Sequence, residues 1–286
     1  MIVTNTVKQT KEQIKKWQKA GKSIGFVPTM GYLHEGHQSL IQESIAHNDI
    51  TVVSIFVNPT QFGANEDLDK YPRDFAADSS LCQEAGVDLI FHPEPDAMYP
   101  PGFCSLVDIT RLKYSLCGKS RPDHFQGVCT VVAKLFNIVN PDRAYFGQKD
   151  AQQLTIIKQM AKDLDFDIEI VGCQIIREAD GLAKSSRNSY LTPQQREQAT
   201  ILNKALVQAQ SHARSGFTDI AGLKEEMIAT INTMPLADID YVEIVDSKTL
   251  EPVMEFNDDI LIALAVRFGA TRLIDNTTIP FKQEEK

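Results

Sequence analysis

The sequence predicts an α/β protein, with a parallel-sheet layer over residues 1–176 and a smaller α+β domain over 177–286. Three observations carry this. Ile50–Val57 is a continuous apolar run rich in β-branched residues, the pattern of a strand buried on both faces. Apolar runs of this kind alternate with helix-period segments up to about residue 176, the order of a βαβ chain. Beyond that point two helical patterns precede three strands on short connections, which suits an antiparallel sheet.

Thr10-Lys11-Glu12-Gln13 reads as a capping box opening a first helix, which Gly21 closes. Ser23–Pro28 reads as a strand and Gly36–Ala46 as a helix with Leu40, Ile41 and Ile45 on one face. Val87–Phe91 repeats the buried-strand pattern. Val128–Val139 reads as a helix, Arg143–Phe146 as a strand and Ala151–Leu164 as a helix. Ile168–Val171 and Gln174–Arg177 read as an extended pair. Thr192-Pro193-Gln194-Gln195 combines an N-cap, a proline at the first helical position and a capping box. The helix it starts should reach Ser215, with Gly216 as its stop, and a second helix should span Asp219–Asn232. Ile239–Val245, Ile260–Val266 and Thr271–Asp275 are the closing strands.

Composition excludes several classes. The 286 residues carry 43% hydrophobic and 23% charged side chains, ordinary for a globular chain and unlike a disordered or collagenous one. Residues 1–176 hold 17 basic against 21 acidic side chains and residues 177–286 hold 12 against 17, within a net charge of −9. Neither part is basic, so a nucleic-acid partner is not expected and any bound polyanion must be met by local groups. The five cysteines include no C-x-x-C pair, which argues for reduced thiols, a cytoplasmic location and no zinc ribbon. No apolar run is long enough for a membrane helix, and the first residues lack a signal-peptide pattern.

Three segments can carry chemistry. Pro28–His37 lies between a strand and a helix, where α/β folds bind ligands and where helix N–H groups suit phosphate. His34 and His37 are three apart and share the face of a first helical turn, while a zinc protease motif needs a spacing of four. Lys184-Ser185-Ser186-Arg187 places two cations and two hydroxyls in consecutive positions, a set able to wrap phosphates. Phe146–Asp150 follows a strand, and its Lys149 points to the same sheet edge as the histidines. Gly118-Lys119-Ser120 fails as a P-loop because Lys113 stands where the first glycine is required.

His34-Glu35-Gly36-His37 resembles the H-x-G-H signature of a nucleotidyltransferase superfamily that includes class I aminoacyl-tRNA synthetases, and Lys184–Arg187 resembles its partner phosphate loop. The stretches P-T-M-G-x-L-H-E-G-H, F-V-N-P-x-Q-F, Y-P-R, H-F-x-G-V-x-T-V-V, F-G-x-K-D, Q-Q-L, R-E-x-D-G-L and S-S-R-N fall in order between residues 28 and 191. Together they resemble the pantoate–β-alanine ligase family. The resemblance implies a Rossmann-like fold and ATP-dependent condensation of pantoate with β-alanine through a pantoyl adenylate, releasing AMP and pyrophosphate. It implies ATP contacts at Met30, Gly31, Tyr32, Leu33, His34, Glu35, Gly36, His37, Gly147, Gln148, Lys149, Asp150, the backbone of Ile176, Lys184, Ser185, Ser186 and Arg187. His34, His37 and Lys149 would be catalytic, with His37 as proton donor. Gln61 and Gln153 would bind pantoate against an apolar wall of Pro28, Met30, Val131, Val132 and Phe146, and Gln61 would also meet β-alanine.

The resemblance further implies Mg²⁺, with its protein ligand open and Asp78 the nearest candidate, and a homodimer. Gly63–Lys70 and Gly118–Phe125 are candidate lids over a reactive intermediate. Many family members carry Met where this chain has Lys184, which leaves two outcomes open: an added phosphate contact, or a side chain in solvent. Two other readings share the ATP residues. A nucleotidyltransferase acting on a phosphate acceptor would not need Gln61 and Gln153 as a carboxylic-acid pocket, and a non-catalytic nucleotide-binding module would not need the full set of His34, His37, Lys149, Ser185, Ser186 and Arg187.

Overall fold

The apolar runs of the first part become strands of one sheet. In the computed structural model, which describes all residues except 64, 65, 67, 215–218, 257 and 282–286, β1 (Ile2–Thr4), β2 (Ile24–Thr29), β3 (Ile50–Ile55), β4 (Leu89–Phe91), β5 (Arg143–Gly147) and β6 (Glu169–Cys173) lie in the order β1-β4-β3-β2-β5-β6. Every pairing is parallel. β3 is buried along its whole length, as its unbroken apolar run requires. Side chains alternate across the sheet. Val27, Val53, Ile90 and Tyr145 face one core with α2 (Glu35–His47) and α3 (Phe75–Ala85), while Phe26, Val52, Leu89 and Phe146 face the other. That second face is covered by α1 (Val7–Lys19), α6 (His124–Val139) and α7 (Ala151–Asp163), with the one-turn helices α4 (Pro95–Met98) and α5 (Cys117–Ser120) at its margin. The order of strands reverses between β2 and β5, and the crevice beyond their C-terminal ends is the ligand position of such sheets.

The second part holds α8 (Pro193–Gln198), α9 (Ile201–Arg214), α10 (Ile220–Ile231) and an antiparallel sheet of β7 (Ala237–Asp246), β8 (Ile260–Phe268) and β9 (Thr271–Ile279). β8 is buried on both faces. Ile260, Ile262, Leu264 and Val266 pack with Leu202, Leu206 and Leu223 of the helices, while Leu261 and Ala263 join the core of the parallel layer. The antiparallel sheet is thereby fastened against the first layer through apolar contact.

Several boundaries differ from the sequence reading for identifiable reasons. The first helix is capped by Thr6, whose side chain accepts from the Gln9 N–H, and Thr10 lies inside the helix with its hydroxyl bonded to Thr4. The helix expected from Thr192 is two helices: the Thr192–Gln195 capping box forms, but the Thr200 hydroxyl bonds back to the Glu197 carbonyl and the chain turns there. Its expected stop at Ser215 and Gly216 lies outside the described residues. Gln174–Arg177 forms no strand, and Arg177 makes only an isolated bridge to Ala183. β1 and α3 carry little periodic signal. β1 has three residues, two of them exposed, and only Asp78 and Cys82 of α3 are buried.

Gly127 of α6 sits directly on the 3₁₀ turn Pro59–Gln61. A Cβ there would overlap the Thr60 carbonyl oxygen and stand 2.7 Å from the Gln61 nitrogen. Gly127→Ala is therefore expected to destabilise the fold by about 1–3 kcal/mol through forced backbone displacement. Urea denaturation checks this, and an unchanged midpoint would contradict the close packing of α6 on the turn.

Candidate active site

The segment leaving β2 is folded by a buried carboxylate. The N–H groups of Tyr32 and Leu33 donate to Asp78 Oδ2 and Oδ1 at 2.8 and 2.7 Å. Gly31 has φ +86° and a Cβ there would stand 2.9 Å from Asp78 Oδ2, so the turn needs glycine. Burial pushes the Asp78 carboxyl above its usual range, against the pull of these two bonds. Each Asp78 oxygen thus accepts a backbone N–H, which gives this residue a turn-forming part beside its candidacy as a metal carboxylate. Among the described residues no group of three His, Cys, Asp or Glu side chains is arranged to hold a metal ion.

The same turn delivers the histidines to the start of α2. His34 is the N-cap: its Nδ1 accepts from the Gly36 N–H at 3.1 Å, and the His34 N–H donates to His37 Nδ1 at 3.3 Å. The two rings are 4.2 Å apart between centroids. Because both Nδ1 atoms accept, a neutral ring carries its proton on Nε2. Burial lowers both pKa values, with the Lys149 charge acting in the same direction, and His37 falls to about 3. The pair therefore offers two neutral N–H donors at a helix N-terminus.

Lys149 follows β5, and the carbonyls of Gln148 and Lys149 both accept from the Asn276 side-chain amide at 3.0 and 2.8 Å. Asn276 is 5% exposed and acts as a buried brace. Its neighbour Asp275 accepts two bonds from the Arg177 guanidinium, at 2.7 and 3.0 Å. Arg177 begins the hairpin that presents Lys184–Arg187, and the Lys184 N–H donates to the Ile176 carbonyl at 2.9 Å. Ser185 caps the 3₁₀ helix Ser186–Tyr190. The Lys184 side chain is 24% exposed, with its ammonium 3.1 Å from Glu35 Oε1.

These groups border a cavity of about 250 Å³. Met30, His34, Gly36, His37, Gly147, Lys149, Asp150, Ile176 and Lys184–Arg187 line it, together with Gln61, Gln153 and the apolar set Pro28, Met30, Val131, Val132 and Phe146. Gly31, Tyr32, Leu33, Glu35 and Gln148 do not: Gly31–Leu33 form the turn bound to Asp78, and the Glu35 side chain is exposed. A second cavity of about 800 Å³ against β9 shares Arg121, His124, Lys149, Asp150, Gln153, Ser185 and Arg187 with the first.

Three lining residues, Asn58, Arg121 and His124, escape a reading of the sequence. The Asn58 amide donates to Gln61 Oε1 at 3.1 Å, and the Gln61 amide donates to Met30 Sδ at 3.1 Å. His124 Nδ1 and an Arg121 N–H meet the Gln61 carbonyl at 2.9 and 3.3 Å. Burial lowers the His124 pKa to about 4. Asn58 and His124 lie inside stretches that carry the resemblance, and Arg121 and His124 inside the candidate lid Gly118–Phe125, but no residue pattern singles any of them out. Arg121 and His124 hold the candidate lid Gly118–Phe125 to Gln61, and Phe125 is buried. The other candidate lid, Gly63–Lys70, falls partly outside the described residues.

Comparison with known proteins places the chain in one family. Residues 2–278 match the family described as Pantoate-beta-alanine ligase. The chain is 57% identical over 278 residues to a pantothenate synthetase of Clostridium botulinum (Loch Maree), covering 97% of this chain and 99% of that protein. It is 55% identical over 282 residues to one of Caldicellulosiruptor bescii, covering 99% and 100%. A crystal structure of pantothenate synthetase from Thermus thermophilus superposes with a TM-score of 0.92 at 43% identity, covering 97% of this chain and 99% of that one. A pantoate–β-alanine ligase from Francisella tularensis, complexed with β-γ ATP and β-alanine, superposes at 0.80 with 36% identity, covering 97% of each. The chain belongs to the pantoate–β-alanine ligase family.

Proposed function

We propose that the chain condenses (R)-pantoate with β-alanine at the expense of ATP, in two steps. The observation that carries this reading is one crevice in which the capped helix N-terminus, Lys149 and the Lys-Ser-Ser-Arg segment meet a glutamine-and-apolar pocket. A carboxylate oxygen of pantoate attacks the α-phosphorus of ATP, the bond to the β-phosphate oxygen breaks, and pyrophosphate leaves. The β-alanine amine then attacks the acyl carbon of the adenylate, AMP leaves with the bonding electrons, and the amine loses a proton. ATP and β-alanine are the ligands named for the Francisella protein, which supports their use here.

In this reading the Nε2–H groups of His34 and His37 and the N–H groups starting α2 hold phosphate oxygens. Burial favours the neutral form of His37 in the free chain, where it donates Nε2–H, and the negative charge of a bound triphosphate favours the imidazolium that the expected proton-donor role needs. Lys149 meets charge developing at the α-phosphate, and Ser185, Ser186 and Arg187 close on the outer phosphates. Gln61 and Gln153 hold pantoate hydroxyls and carboxylate, Gln61 extends to β-alanine, and the apolar wall takes the geminal methyl groups. Magnesium would enter with the substrate as MgATP, held mainly by phosphate oxygens. The division at 176/177, a cytoplasmic location and a homodimeric assembly belong to the same reading; no helix among the described residues is long and apolar enough to cross a membrane. A phosphate-acceptor nucleotidyltransferase would leave Gln61, Gln153 and the apolar wall without a ligand.

ATP–pyrophosphate exchange is expected to require pantoate and not β-alanine. Exchange without pantoate dependence would overturn the reading. Lys149→Ala and His37→Ala are each expected to lower turnover about 100-fold or more, as for loss of a preorganised donor, and turnover near wild type in either would remove its assigned role. The titration state makes a further prediction. The unfolded chain protonates each of these imidazoles near pH 6.5, whereas the folded chain waits until about pH 3 for His37 and about 4 for His124. Stability should therefore fall as pH drops from about 6.5 toward 4, by up to ~1.4 kcal/mol per pH unit for each ring. Urea midpoints between pH 7.5 and 4.5 check this, with His124→Asn expected to remove its share of the slope; a flat midpoint would contradict burial of the neutral rings.

A further inference from the structure

The Glu35–Lys184 pair joins the two phosphate-facing segments, 149 residues apart in the chain. Glu35 is the first residue of α2, between the two histidines, and Lys184 opens the Lys-Ser-Ser-Arg segment. The two partners differ in setting. The Lys184 side chain is 24% exposed and lines the cleft beside His34, His37 and Lys149, whereas Glu35 is 61% exposed and stands at the rim. A carboxylate in the first turn of a helix competes with phosphate for the same positive end.

The geometry lets Lys184 move without its backbone. Its N–H is bonded to the Ile176 carbonyl, and the adjacent Ala183 bridges Arg177, so the Cα is fixed while four side-chain torsions stay free. The second nearby carboxylate, Glu178, has its Oε2 4.0 Å from the Lys184 ammonium. It is held elsewhere, by Arg196 at 3.1 Å and by the Asn188 amide at 3.2 Å. Glu35 is therefore the partner that a bound nucleotide has to displace. A triphosphate carries several negative charges and many acceptor oxygens, so it outcompetes one solvated carboxylate for an ammonium within reach.

We propose that Lys184 is a positioning cation that changes partner: Glu35 holds its ammonium at the rim of the cleft before nucleotide enters, and the triphosphate of ATP takes it over. The inference rests on the triphosphate placement proposed above. It makes Glu35 a brake on ATP affinity, through the pair that must break and the repulsion left behind, and it makes Lys184 a contributor to that affinity. A static bridge with the same contact distance would behave in the opposite sense, because loss of Glu35 would loosen the rim.

The test uses the full chain and its variants Glu35→Gln, Lys184→Met, Lys184→Arg and Glu35→Gln/Lys184→Met. Titration calorimetry with a non-hydrolysable ATP analogue and Mg²⁺ gives Kd, and pantoate-dependent turnover gives KM for ATP and kcat. Glu35→Gln is expected to tighten analogue binding about two- to fivefold, and Lys184→Met to weaken it about three- to tenfold. Lys184→Arg should restore binding to within about twofold of wild type, since its charge reaches the same oxygens. Removing the Glu35 carboxylate should help less in the Lys184→Met background than alone, and KM for ATP should move more than kcat. Unchanged or weaker binding in Glu35→Gln, or wild-type binding in Lys184→Met, would overturn the partner exchange. If the wild-type chain binds the analogue but shows no pantoate-dependent turnover, the reaction assignment fails while the Kd values still decide the exchange. If it does not bind the analogue, both fall.

Discussion

Two neighbouring polar residues on β9 hold the site together. The Asn276 amide fastens the carbonyls of Gln148 and Lys149, and the Asp275 carboxylate fastens the Arg177 guanidinium. The first bond set places Lys149 at the end of β5, and the second places the hairpin from which Lys184–Arg187 project. Two segments well separated in sequence are thus referred to one strand of the second sheet. The Asp275 side chain is 1% exposed and its partner Arg177 is 26% exposed. A pair so deeply placed offsets much of its attraction by desolvation, so its contribution lies more in position than in stability. The apolar fastening of β8 against the parallel layer supplies the adhesion, and the polar pair on β9 supplies the register.

The local electrostatics explain how a chain of net charge −9 can face a polyanion. The donors gathered at the crevice are mostly neutral: backbone N–H groups of α2, two imidazoles kept uncharged by burial, and serine hydroxyls. Cations enter singly, as Arg121, Lys149, Lys184 and Arg187. Neutral donors fixed by the fold need little rearrangement as charge develops on a phosphate, the property expected of a transition-state site. The Asp78 carboxylate contributes from behind, by fixing the turn that aims the helix and its histidines.

Much of the fold is legible in the sequence because its strands are apolar on both faces. Ile50–Val57 announces β3, and the end of the α/β alternation announces the second sheet. The elements that escape lack that pattern: β1 is a three-residue edge strand, and α3 buries a carboxylate and a thiol where a periodic apolar face would be sought. The phosphate-facing segments are legible as local clusters of residue type, since their members are consecutive. Asn58, Arg121 and His124 are not, because they meet only around the Gln61 turn and are ordinary polar residues in sequence. Lys184 illustrates the limit from the other side. Its charge is evident, but its partner Glu35 lies on another element, and only the three-dimensional arrangement joins them.

The central claim is that a carboxylate held by Gln61, Gln153 and the apolar wall attacks the α-phosphorus of ATP. Pantoate labelled with ¹⁸O in its carboxylate tests this most directly, with β-alanine, MgATP and the purified chain, and mass spectrometry of the products. Attack at the α-phosphorus followed by amide formation transfers one carboxylate oxygen to the nucleotide, so AMP should carry a single ¹⁸O and pyrophosphate none. Label in inorganic phosphate or pyrophosphate, or unlabelled AMP alongside amide formation, would contradict the account.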